Sequence, residues 1–432
     1  MTDLVTHAQL VLLARTLHVP VRRVAHLERL GARHLHEIQQ RMAAIVFEQH
    51  TEVFARISKL VPIIPLGVSM PLVQRFVPPT MTGRAAGSIG VEHPKKAADI
   101  IAVLGTSYAA DCVPYIDPRT IATVAEHAPW RPIAEILNEI LRRGDYITAG
   151  PFLEYLNAGL IDAVEFGVHD DAGVIFSAAY AYSSSSVSAI LRRLSSGRRQ
   201  RVPRIVHTVL HGSAELQRAG LSTFARCEPD VIASVGEVLF RVGNAQSIGN
   251  LVVTAIRVGA VEELLTFADQ LTPAAKDTLA GYPVFGNEAV LTGLIGALES
   301  SRDPIVWHGL FEILRRNGPE LGQRAARMLA DLPDETVAAL PSIAAEADLW
   351  RVLLRVLAAA DATVHERIGA VWATLPPERL SGLELHIHEL DLGQAVSALT
   401  EQISTASMEE VFFRRRQRSR HRDSADDGWP LS

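Results

Sequence analysis

The 432-residue chain is 48% hydrophobic, 21% charged and only 6% aromatic, a balance that supports a continuous core and excludes global disorder. Its net charge of −6 is modest for this length and gives no global drive toward nucleic acid or an anionic membrane. The two cysteines, Cys112 and Cys227, stand outside CxxC spacing, which excludes a disulfide framework and a zinc knuckle and fits a reducing cytosol.

The opening MTDLVTHAQL lacks a cationic stretch leading into an apolar run and cleavage site, so no signal peptide is expected. No run of about eighteen residues is free of both charge and helix breakers, so no transmembrane helix is expected either. Residues 1–59 read as an N-terminal helical region: apolar residues recur at helical spacing in LVTHAQLVLLARTL, pause at Pro20, and resume in VRRVAHLERL and HLHEIQQRMAAIVFEQ. Residues 60–92 read as a bridge. Its first part, LVPIIPLGVSMPLVQRFVPP, is almost wholly apolar, with Arg75 its only charge, and carries five prolines, a density that predicts irregular backbone. The segment has two readings: burial under the first repeats, or a hydrophobic hairpin touching a membrane or partner through Ile63, Ile64, Leu66, Leu72 and Phe76. The following TGRAAGSIG reads as a flexible junction, since no strand precedes it to make a phosphate loop.

From residue 93 the chain repeats a helix-hairpin unit. Pro94 and Pro118 lie 24 residues apart, and at that offset Ala98 falls on Ala122, Ala110 on Ala134 and Val113 on Leu137. Residues 93–190 form a first repeat block, 191–410 a second, and 411–432 a disordered Arg-rich tail. Within the first block, 166–190 breaks the rhythm and reads as an irregular helix or inserted loop, with Asp170 and Asp171 on a solvated turn. In the second block Pro273, Pro333 and Pro376 each open a unit, which suits the first turn of a helix. Fifteen positions later stand Glu288, Asp348 and Asp391, placed to open the second helix against the positive end of its dipole. Gly243, Gly259 and Gly318 read as helix C-caps. Trp130, Trp307, Trp350 and Trp372 fall in or beside repeat helices and are expected in the packing.

The phrases YIDPRTIATVAEHAP, ADLPDETVAALP and ATLPPERLSGLE resemble the cytoplasmic N-terminal superhelix of the MgtE magnesium transporters, over 93–165 and more loosely over 270–400. The same hairpin grammar occurs in flagellar motor-switch and armadillo-type repeats. The resemblance implies a right-handed superhelix of short helix pairs. It does not imply ion transport, because the chain has no pair of CBS motifs, no transmembrane helices and no counterpart of the family's acidic magnesium-sensing surface.

No catalytic constellation emerges, and no cofactor is expected. His34/His36 and His386/His388 stand beside Glu37 and Glu389, but helical residues two apart point about 200° apart and cannot share one ion. The phosphate loops and the nucleophile elbow are absent. The run LRRLSSGRRQRVPR, with Arg192, Arg193, Arg198, Arg199, Arg201 and Arg204, suits phosphates of nucleic acid or lipid, or is a solvated charged face. No aromatic is interleaved to stack bases. The expected architecture is therefore all-α, an α-solenoid behind an N-terminal helical region. The leading expectation is a non-enzymatic cytosolic scaffold or adaptor that binds a protein partner on a curved surface. Peripheral membrane association through 60–79 and the tail is the alternative. A nucleic-acid binder is the further one, and it predicts salt-sensitive retention on DNA.

Overall fold

The computed structural model describes residues 3–48, 65–116, 120, 123–124, 126–299, 301–346, 348–380 and 382–404. The expectations for Ile63, Ile64, Pro118, Ala122 and the tail 411–432 lie outside them. Every regular element among the described residues is a helix, so the chain is all-α. It divides into two compact units, Met1–Ala260 and Val261–Ser432. The helix Ser184–Ser196 runs through 190/191 without interruption.

The first unit opens on Leu4–Thr16, capped by the Asp3 carboxylate, which accepts from the Val5 and Thr6 amides. The helix closes before Pro20, where the His18 and Val19 amides bond the Arg15 and Ala14 carbonyls, and the chain resumes as Gly31–Glu48 after short 3-10 turns. Leu10, Leu13, Ala14, Val24 and Leu35 make the apolar seam of this hairpin.

Three segments depart from the sequence expectation. Leu66–Phe76 is helical despite Pro71 in its interior. Pro71 leaves the Gly67 carbonyl without its helical donor, but Gly67 is exposed, so water can take that place. The TGRAAGSIG stretch is no junction, because it lies inside the helix Pro79–Glu92. Its Gly83 is a packing residue: a Cβ there would stand 2.4 Å from the Cys112 carbonyl oxygen and 2.8 Å from Tyr115 Cβ. Glycine is what lets this helix lie directly on Thr106–Cys112 and the turn after it. Finally, 166–190 holds two regular helices, Asp171–Tyr180 and Ser184–Ser196. Their starts are capped, with Asp170 accepting from the Gly173 amide at 2.8 Å and Ser183 from the Ser186 amide at 3.2 Å. The small polar residues that suggested a loop are helix-start signals.

Helices two apart along the chain pack together. In the first unit Trp130–Arg142 lies on Ala158–Gly167, Ala158–Gly167 on Ser184–Ser196, and Val202–Leu210 on Pro229–Val242. In the second, Pro319–Ala330 lies on Trp350–Ala358 and Asp334–Glu346 on Ala362–Trp372. Charge pairs follow the same step. Arg143 reaches Asp111 across 32 positions, Arg193 reaches Asp162 across 31, Arg327 reaches Asp361 across 34 and Arg351 reaches Glu389 across 38.

The second unit centres on Trp307, Phe311, Leu353 and Trp372, all essentially inaccessible. Trp350 and Trp372 meet edge to face at 6.1 Å, and the Trp372 indole donates to the Val337 carbonyl at 2.9 Å. Trp130 of the first unit differs, being 49% exposed. Pro273 and Glu288 sit at helix starts capped by Thr272 and Asn287. Asp348 and Asp391 do not open helices through their carboxylates. Both adopt left-handed backbone at φ 54, which Asp tolerates in turns, and the cap of Trp350–Ala358 makes no side-chain bond. Gly243 and Gly259 end helices, whereas Gly318 begins one, Pro319–Ala330.

Candidate functional site

The first unit contains an apolar chamber of about 470 Å³. Its walls include the helices Leu66–Phe76, Pro79–Glu92, Pro94–Val103, Thr106–Cys112 and Trp130–Arg142, with Ala149 of Tyr146–Ala149 and Leu160 of Ala158–Gly167; the turn Gly150–Tyr155 contributes Phe152 and Leu153. The volume falls within the range of about 300–1,000 Å³ typical of small-molecule sites. Alanines make the room. Ala85, Ala86, Ala97 and Ala109 stand on its walls, where larger side chains would fill the space. Protein interiors seldom leave spaces this large between apolar walls, and a pocket without polar partners suits an apolar guest better than water.

Polar groups on the walls are few and already engaged. The Thr82 hydroxyl shares a hydrogen bond with the Tyr108 hydroxyl at 2.7 Å, and Tyr108 donates to the Val77 carbonyl at 2.8 Å. Burial pushes the Cys112 thiol up to about 12, so it stays protonated and packs as an apolar group. Cys227, elsewhere in the unit, is likewise buried and pushed up to about 11. Neither thiol is set up as a nucleophile.

The helix Leu66–Phe76 is apolar on two faces. Leu66, Met70 and Val73 turn to the chamber, while Val68, Leu72 and Phe76 are 69%, 55% and 71% exposed. The Arg75 guanidinium lies 5.5 Å from the centroid of the Phe76 ring. Of the sequence-predicted contacts in this stretch, Leu66 lines the chamber and Leu72 and Phe76 face outward.

A polar cleft of about 520 Å³ adjoins the chamber, and Val113, Ile116 and Phe152 line both. Into the cleft face Arg15, His18, His36, Arg84, Asp145 and Glu154. Arg15 is committed to Asp145 at 3.1 Å and Thr148 at 2.7 Å. His36 stacks on Tyr182 with ring centroids 3.9 Å apart, and burial pulls its pKa down. Burial raises that of Glu154, which accepts the Ser183 amide at 3.2 Å. Arg84 donates to His18 Nε2 at 2.7 Å, and His18 is held in left-handed backbone at φ 54.

The arginine run is not an open anion site. Arg192 pairs with Glu228 and with Asp230, the latter at 2.6 Å, and Arg193 pairs with Asp162 at 2.8 Å. Arg201 is buried with Asp171 at 2.6 Å, and Arg204 reaches the same carboxylate at 2.5 Å. Asp171 is therefore a buried counter-ion and not part of a solvated turn. Arg199 lies over the Phe166 ring at 5.0 Å, and Arg198 is exposed. The carboxylates sit 30 to 38 positions from their arginines, beyond the reach of any local reading.

The histidine pairs are dispersed. His34 bonds the Leu30 carbonyl at 3.0 Å, His36 bonds Gln9 at 3.1 Å, and His386 lies 3.3 Å from Glu389. Among the described residues no group of three or more His, Cys, Asp or Glu is arranged to hold a metal ion. None of their helices is long and apolar enough to cross a membrane. The chamber escaped sequence reasoning. Its trace there is the recurrence of Ala and Gly in GRAAGSIG, KKAAD and YAAD, read as linker or plain repeat. Compared with protein families, curated proteins and solved structures, the chain matches none.

Proposed function

We propose that this chain is a non-enzymatic binding protein whose first unit takes up a hydrocarbon chain in the chamber between Leu66 and Leu160. The observation that carries this reading is a cavity of about 470 Å³ whose walls are hydrocarbon, with Thr82, Cys112 and Thr120 as the exceptions. Burying about twelve methylenes gains about 10 kcal/mol at about 0.8 each. An association cost of at least about 4 kcal/mol leaves about 6, a Kd on the order of tens of micromolar. The outward Val68, Leu72 and Phe76 suit delivery from a lipid surface, the alternative that the apolar stretch first suggested. The test is titration with N-phenyl-1-naphthylamine, an uncharged apolar dye. Wild type is expected to bind it saturably, and Ala85→Phe, which fills the chamber, to bind at least about tenfold more weakly with an unchanged helical spectrum. Absence of saturable binding, or unchanged affinity in Ala85→Phe, removes the reading.

A second reading keeps the scaffold or adaptor expectation: a superhelix of helix hairpins, of the kind the MgtE-like phrases imply, offering an extended surface to a protein partner. Its support is the packing of helices two apart along the chain and the recurrent step of 30 to 38 positions in the cross-helix charge pairs, within the span of common helical repeats though longer than the 24-residue offset of Pro94 and Pro118. In a stacked array each unit is stabilised by its neighbours, so damage spreads locally. Ile205→Ala, at a fully buried position, is expected to speed hydrogen exchange in Ser184–Ser196 and Pro229–Val242 while Pro79–Glu92 keeps its protection. Equal acceleration throughout the first unit counts against stacked repeats.

A further inference from the structure

We propose that the guest of the chamber is a single-chain amphiphile with an anionic head group, its tail inside and its head against Arg84 in the adjoining cleft. This rests on the chamber reading and specifies it. One helix serves both spaces. On Pro79–Glu92, Met81 and Ala85 line the chamber, whereas Arg84, between them in sequence, lines the cleft. Val113, Ile116 and Phe152 form the shared wall. A molecule passing that wall has its apolar part among side chains without charge and its other end beside a guanidinium.

Charge in the cleft is unbalanced at that point. Asp145 is taken by Arg15, and Glu154 accepts the Ser183 amide. Among the described residues Arg84 has no carboxylate partner; its hydrogen bond goes to the His18 ring. To accept from Arg84, His18 Nε2 must be unprotonated, so this contact adds no negative charge. One guanidinium N–H is used, and the remaining donors keep the planar fork that suits carboxylate or phosphate oxygens. The left-handed backbone of His18, at φ 54, closes the helix Leu4–Thr16, with the His18 amide on the Arg15 carbonyl at 3.1 Å and the Val19 amide on the Ala14 carbonyl at 3.0 Å. That helix end places the imidazole beside Arg84.

A carboxylate and a phosphate monoester share this chemistry, and the experiment separates them. The full chain is titrated with cis-parinaric acid and with its methyl ester, which keeps the tail and lacks the charge. Wild type is expected to bind the acid at least about tenfold more tightly than the ester. Arg84→Gln, at a half-buried position, is expected to bring the acid down to the ester's affinity while the ester changes less than about twofold. Displacement of the acid at lower concentration by oleate identifies a carboxylate head, and by oleoyl lysophosphatidate a phosphate head. Equal affinity of acid and ester in wild type, or equal weakening of both by Arg84→Gln, overturns the head-group assignment and leaves the chamber standing. Saturable binding of neither probe takes the chamber reading down as well.

Discussion

Asp171→Ala is expected to cost the first unit about 3–5 kcal/mol, read as a lowered urea midpoint of its helical signal. The reason lies in what remains. The Arg201 side chain is 1% exposed and that of Asp171 6%. The Arg201 guanidinium donates to Asp171 at 2.6 Å and to the Val164 carbonyl at 2.5 Å. Arg204 shares the same carboxylate. Removing it strands a buried cation, whose unpaired desolvation is the expensive event. Replacing both partners by apolar groups of similar size, as in Asp171→Leu with Arg201→Met, is expected to recover most of the loss, because well-packed hydrocarbon often matches a buried pair. A loss under about 1 kcal/mol in Asp171→Ala would show that water or another group reaches Arg201. In the sequence Arg201 reads as an anion contact and Asp171 as part of a solvated turn; the pair exists because Asp171–Tyr180 and Val202–Leu210 pack together.

Gly309→Ala should be the most damaging single methyl in the second unit. A Cβ at Gly309 would lie 2.2 Å from the Leu265 carbonyl oxygen and 2.9 Å from its carbon. Both are backbone atoms, so no rotamer change relieves the clash. The helices Val261–Asp269 and Pro304–Arg316 must separate, and overpacking of this kind costs about 1–3 kcal/mol, occasionally more. Trp307, fully buried two residues away, reports the change by its fluorescence during urea unfolding. A midpoint equal to that of wild type would mean that the two helices have slack. On a helix alone, Gly→Ala is favourable by about 1 kcal/mol, so the sign of the result separates local propensity from packing.

That opposition of sign marks what each level of description decides. Interactions within a few residues made the all-α class readable from the chain. Apolar spacing set the helices, the first of them ended before Pro20, Pro273 and Glu288 stood at helix starts, and three of the four tryptophans assigned to packing are buried. Where local signals conflict, the packed structure decides: prolines against apolar spacing pointed to irregular backbone in Leu66–Phe76, and small polar residues to an irregular helix or an inserted loop in 166–190, and both stretches form regular helices. Partners more than one helix away were beyond reach. Arg201 meets Asp171 across 30 positions, and Gly83 is glycine because of Cys112. The chamber is the extreme case, since it is volume left unfilled among segments from Leu66 to Leu160. An empty space has no residue of its own, so only the mutual placement of its walls creates it.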